Sequence, residues 1–133
     1  MKPFQCKTTC TIAATPNEVF DALTNAKTII AWSGGQKGKV EPTIGGKFEF
    51  FDGWVKGTVL AYERGKRLSY TWLPNEWPAG TLPSVVKYTF VKAAKGTRVT
   101  LTHSGFPNAT ELSQHKSGWI EHVFDPLKKH FAR

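Results

Sequence analysis

Between Gly46 and Ser104 the chain sets down five short runs in which apolar and polar residues alternate, rich in Trp, Tyr and Phe. A single long helical pattern, from Thr110 to Phe131, follows to cover them. Alternation at period two puts every second side chain on one face of a strand, so each run has a wet face and a face that must be covered. One helix over a wide aromatic sheet face leads to the expectation of a lined cavity instead of a completely filled core.

Within the runs, Leu68, Tyr70 and Trp72 share a face, as do Val86, Tyr88 and Phe90, and then Val99, Leu101 and His103. Asp52-Gly53, between Phe48-Glu49-Phe50-Phe51 and Trp54-Val55-Lys56, has the composition of a tight hairpin, and Gly65 and Gly96 mark two more reversals. An antiparallel meander is expected. The connection from Pro74 to Pro83 is long for a hairpin and carries Trp77 and Leu82 among prolines and polar residues.

Upstream, residues 4–12 alternate, with Phe4, Cys6, Cys10 and Ile12 on one face, as a first strand with one wet face should. Thr15, Pro16 and Glu18 then supply an N-cap, a proline at the first helical position and a capping-box acid, starting a short helix that ends near Asn25. A second short helix, Ala26 to Trp32, is closed by Ser33, Gly34 and Gly35. In the C-terminal pattern, Leu112, Trp119, Ile120, Val123, Leu127 and Phe131 recur mostly at three- and four-residue steps. Pro126 has no amide hydrogen for the carbonyl of His122, so a kink is expected there, with Asp125 capping the final turn.

At 133 residues the chain is read as one domain, 1–133. The N-terminus MKPFQCKTTCT has no apolar signal region and no stretch of 18 apolar residues occurs, so no membrane partner and a cytoplasmic location are expected. The net charge of +8 is scattered singly, densest at Lys128, Lys129 and Arg133. No basic helix or RNA-recognition motif accompanies it, which argues for a solvated basic surface and against nucleic acid. Cys6 and Cys10 in an extended strand stand about 13 Å apart, too far for a disulfide and wrong for a shared metal.

The order of strand, two short helices, sheet meander and long C-terminal helix is that of helix-grip, START-like and pollen-allergen-like domains. The segments TCTIAATPNEVFDALTN, GGKFEFFDGWVKGTV, NEWPAGT followed by VKYTF, and SGWIEHVFDPLKKHF together resemble the C-terminal domain of the activator of the heat-shock protein 90 ATPase, over nearly the whole chain. The resemblance implies an α+β fold, a curved antiparallel sheet wrapped on a long C-terminal helix, and a chaperone of the heat-shock protein 90 class as a partner. The eukaryotic co-chaperone has a further domain ahead of this one; here Met1 stands directly before the first strand, which favours a stand-alone form.

Two arrangements satisfy the aromatic pattern. Phe48, Phe50, Tyr70, Trp72, Tyr88 and Phe90, with Trp119 and Val123 of the covering helix and His103 at the end of its row, either fill a core or line a pocket for a small hydrophobic or aromatic ligand. His103 is a hydrogen-bonded structural residue or a general acid or base at the pocket mouth. Trp77 and Leu82 form a lid or a partner contact, or Trp77 folds back as a plug. His115, His122 and His130 are spaced too widely for one metal ion and suit solvent-facing or helix-end roles. No paired carboxylates and no nucleophile triad can be read, and no cofactor is expected. Ligand binding is thus the leading expectation. A co-chaperone-type contact through the basic surface and the Trp77 loop is the alternative, and a cyclase- or hydrolase-like enzyme using His103 with Tyr70 or Tyr88 the lesser one.

Overall fold

The computed structural model describes residues 4–132; Met1 to Pro3 and Arg133, the last member of the basic cluster, lie outside the described residues. Strand β1 (Gln5–Ile12) buries Cys6 and Ile12 and turns Gln5, Lys7, Thr9 and Thr11 to solvent. Helix α1 (Pro16–Thr24) starts on the expected capping box: the Thr15 hydroxyl accepts from the Glu18 amide at 3.2 Å, and Glu18 Oε1 accepts from the Thr15 amide at 2.9 Å. Two amides that an isolated helix end leaves without partners are thereby satisfied. Asn25 ends α1 and caps α2 (Ala26–Trp32), its Oδ1 accepting from the Thr28 amide at 3.1 Å. The Trp32 indole donates to the Ala22 carbonyl at 2.6 Å and locks the two helices together.

A two-residue strand β2 (Lys39–Val40), too short to carry any periodicity, precedes the meander of β3 (Lys47–Phe50), β4 (Val55–Glu63), β5 (Arg67–Pro74), β6 (Ser84–Ala93) and β7 (Gly96–Ser104). All pair antiparallel in the order β1-β7-β6-β5-β4-β3-β2, with β1 returned to the edge beside β7 and Cys6 opposite His103. The alternation read from the runs holds: Leu68, Tyr70, Trp72, Val86, Tyr88, Phe90, Val99, Leu101 and His103 are all buried.

Two local expectations change. The β3–β4 connection is a four-residue turn, Phe51 to Trp54, in which Phe51, Asp52 and Gly53 all take left-handed backbone angles (φ 53°, 58° and 83°). Left-handed geometry at a phenylalanine is strained. It is held by Asp52, whose amide donates to the Lys37 carbonyl at 3.0 Å and whose Oδ1 accepts from the Lys37 amide at 2.7 Å. The second change lies in the covering helix, which runs from Ala109 to Phe131 as α3 (Ala109–Trp119), a π-helical turn (Ile120–Phe124) and α4 (Asp125–Phe131). Asp125 does not cap; its amide donates to the Ile120 carbonyl, and α4 begins without a side-chain cap. A π-type step, in which each carbonyl is served from five residues along, passes over the donor that Pro126 lacks. Helices α3 and α4 lie against β1, and α4 meets α2.

Candidate functional site

Most of the space between sheet and helix is filled. Phe48 lies flat on Tyr70, with ring centroids 3.6 Å apart and planes 11° from parallel, and Phe50 packs edge-on against Trp32. The Tyr70 and Tyr88 hydroxyls hydrogen-bond to each other at 2.8 Å, so both polar tips are satisfied inside the core. Burial, which disfavours the phenolate, pushes both phenols well above their ordinary pKa.

Beside this core runs a chain of indoles and imidazoles. The Trp119 indole donates to His103 Nδ1 at 2.9 Å, which makes Nδ1 the acceptor and leaves the proton on Nε2, 2.8 Å from Ser84 Oγ. The Ser84 hydroxyl in turn donates to the Trp72 carbonyl at 2.8 Å. Burial, with His115 nearby, lowers the His103 pKa to about 2 and keeps the ring neutral. A parallel relay runs from the Trp72 indole to His115 Nε2 at 3.1 Å and from His115 Nδ1 to the Glu111 carbonyl at 2.9 Å. Burial also lowers the His115 pKa, with the Glu111 carbonyl and carboxylate partly opposing. The remaining indoles are satisfied too: Trp77 donates to Glu111 Oε1 at 2.9 Å and Trp54 to Glu76 Oε1 at 3.1 Å.

Past these relays β5 and α3 leave a cleft of about 220 Å³. Phe51, Trp54, Trp72 and Trp119 wall it, Val123 and Gly118 complete its helix side, and Glu76, Glu111, Gln114, His115 and His122 supply its polar lining.

The sequence model of the family described as "Activator of Hsp90 ATPase homolog 1-like protein" matches residues 13–132. The chain belongs to this family. It is 26% identical over 130 residues to an activator of 90 kDa heat shock protein ATPase homolog from Dictyostelium discoideum. That match takes in 97% of this chain and 31% of the relative, so the chain spans about a third of that protein's length. Among solved structures, a heat-shock protein 90 activator from Plasmodium falciparum superposes with a TM-score of 0.84 at 24% identity, over 94% of each chain, and shares the fold. A protein from Mesorhizobium loti superposes with a TM-score of 0.79 at 30% identity, again over 94% of each chain. The α+β helix-grip arrangement of these neighbours is the one described above.

In this activator-family domain the residues expected to line a pocket divide into two groups. Trp72, Trp119 and Val123 face the cleft, whereas Phe48, Phe50, Tyr70, Tyr88, Phe90 and His103 are packed into the core beside it. The two tyrosine hydroxyls bond each other and not His103, whose ring nitrogens are both engaged, so His103 holds Trp119 and Ser84 in place. Trp77 is turned inward, 7% exposed, and pins the 75–83 loop to α3 through Glu111, while Leu82 at 81% exposure stands out from the loop.

Phe51, Trp54, Glu76, Glu111 and His115 were not expected here. For the helix residues a signal existed: Glu111, His115, Trp119 and Val123 recur at steps of four and so share one stripe of α3 and the π turn. Phe51 and Trp54 lack such a signal, because the left-handed turn breaks strand parity. Among the described residues no cluster of three or more His, Cys, Asp or Glu is placed to hold a metal, and no helix is long and apolar enough to cross a membrane.

Proposed function

We propose that this domain binds a small hydrophobic or aromatic molecule in the cleft between β5 and α3. The observation that carries the proposal is the state of the walls. The indole N–H groups of Trp54, Trp72 and Trp119 end on protein acceptors, which fixes the rings and leaves apolar surface of Phe51, Trp54, Trp72 and Trp119 turned to an open space. Rigid aromatic faces bind at low entropic cost. A cleft of about 220 Å³ is smaller than the usual few hundred to a thousand Å³ of a drug-sized site, so it suits a compact ligand or one arm of a larger one.

Gly118 provides the test. It lines the cleft from a regular helical position, and a Cβ there would meet only His122 Cδ2 at 3.8 Å, an ordinary contact. Gly118→Phe should fill the cleft, leave the thermal midpoint unchanged or raised, and abolish the response of tryptophan fluorescence to small aromatic probes. Native mass spectrometry of freshly purified protein reports any ligand already bound. An unaltered probe response in Gly118→Phe would remove the cleft as the site.

Family membership supports a second function, contact with a chaperone of the heat-shock protein 90 class. The basic surface and the exposed Leu82 on its proline-stiffened loop are the elements suited to it, since Trp77 is engaged internally. Salt-sensitive association weakened by Leu82→Asp is the expected result, and no association at low ionic strength would exclude it.

A further inference from the structure

We infer that the cleft selects a small organic ammonium ion, its nitrogen seated among the indole faces and its countercharge supplied by Glu76 and Glu111; this rests on the cleft being a ligand site. Charge distribution is the first observation. The chain carries 18 Lys and Arg against 10 Asp and Glu, yet the cleft is lined by two carboxylates and by no Lys or Arg. A basic protein that inverts its charge at an aromatic hollow disfavours anions there by repulsion and favours cations by attraction.

The second observation is how the carboxylates are held. Oε1 of Glu76 accepts from Trp54 and Oε1 of Glu111 from Trp77, while Oε2 of each makes no hydrogen bond among the described residues. Each carboxylate is therefore positioned by an indole and keeps an oxygen for a further partner.

The third is the set of ring orientations. Trp72 meets Trp54 edge-on, at 6.2 Å and 76°, and is tilted 43° to Trp119 at 4.9 Å, so the walls approach the cleft from different directions. Electron-rich rings set at different tilts along a hollow attract a cation in addition to excluding water. His115, the half-buried imidazole at the same site, has Nε2 taken by Trp72 and Nδ1 by the Glu111 carbonyl, so it brings no competing positive charge while neutral. A neutral hydrocarbon would gain from the rings alone and leave both carboxylates unused.

Choline and its uncharged carbon isostere 3,3-dimethylbutan-1-ol have the same shape and differ in the charged nitrogen. Titration of each into the protein, followed by the indole N–H signals of Trp54, Trp72 and Trp119 in nuclear magnetic resonance, separates charge from fit. Benzyl alcohol serves as a neutral aromatic probe. Choline should bind about tenfold more tightly than the isostere. Glu76→Gln with Glu111→Gln, which keeps an amide oxygen for each indole, should remove most of that advantage and leave binding of the neutral probes unchanged. Equal or tighter binding of the isostere would overturn the ammonium inference while leaving the hydrophobic-ligand proposal standing. Indole signals unmoved by any of the three compounds would overturn both.

Discussion

Replacing His103 by glutamine tests the buried relay through its effect on acid stability. In the folded protein His103 is held neutral, with a pKa of about 2, whereas an unfolded histidine titrates near ~6.5. As the pH falls below that value the unfolded chain takes up a proton that the folded chain refuses. Stability is thus fullest above ~6.5 and is lost progressively as the pH drops toward the folded value. Between pH 7.5 and 5.0 the linkage for this one group comes to about 2 kcal/mol, a figure set by the unfolded pKa once the folded one lies below ~4. Unfolded carboxylates titrate below this window, at ~3.9 to ~4.3, and His115, also lowered, adds a smaller loss of the same sign. The measurement is the urea midpoint at the two pH values for wild type and His103→Gln. The variant starts weaker at pH 7.5, because the amide, although it has an acceptor for Trp119 and a donor for Ser84, lacks the fixed ring geometry and the ring contacts with Trp72 and Phe106. Its further loss on acidification should be smaller than that of wild type by about 2 kcal/mol, equivalent to about 1 M urea. Repulsion from the +8 net charge acts on both proteins and cancels in the comparison. Equal acid losses in the two proteins would show that His103 is not held neutral. Nitrogen-15 shifts of the wild-type imidazole give an independent reading, with the proton expected on Nε2.

Further substitutions probe the packing around the site. Tyr70→Phe or Tyr88→Phe leaves the opposite buried hydroxyl without its only partner among the described residues and should cost about 1–3 kcal/mol, while the double variant should cost clearly less than the sum in a denaturant double-mutant cycle. Gly57→Ala places a Cβ against the Thr71 carbonyl of the neighbouring strand; thermal melts should show a loss of about 3 kcal/mol or more, or no soluble folded protein. Trp77→Phe keeps the ring but removes the bond to Glu111, and should lower the thermal midpoint by about 3–6 °C and speed amide exchange in residues 75–83.

How far such behaviour was readable in advance differs from element to element. Thr15, Pro16 and Glu18 announce α1 because a capping box acts within one turn, and the chain supplies its own partners. The turn at Phe51 to Trp54 has only the composition of a tight hairpin, because its left-handed angles depend on Asp52 meeting Lys37, 15 residues away. Pro126 signalled a break in the helix, but the π turn that absorbs it is one of several ways a helix can pass a missing donor.

Sequence alone determined which residues turn inward, since strand parity and helical stripe are periodic properties carried by neighbours in the chain. On that basis the aromatic faces of β5, β6 and β7 and the covering role of the C-terminal helix follow. Only the tertiary structure decided whether those aromatics fill or line the interior. Parity gives the direction of a side chain but not the distance to the opposite layer, and here Phe48 stacks directly on Tyr70 while the open space falls at Trp54, Trp72 and Trp119. The relays that set the chemistry of that end join Trp72 to His115 and Trp77 to Glu111 across 43 and 34 residues. Hydrogen bonds of that reach exist only once the strands and α3 are packed, and they have no local signature in the chain.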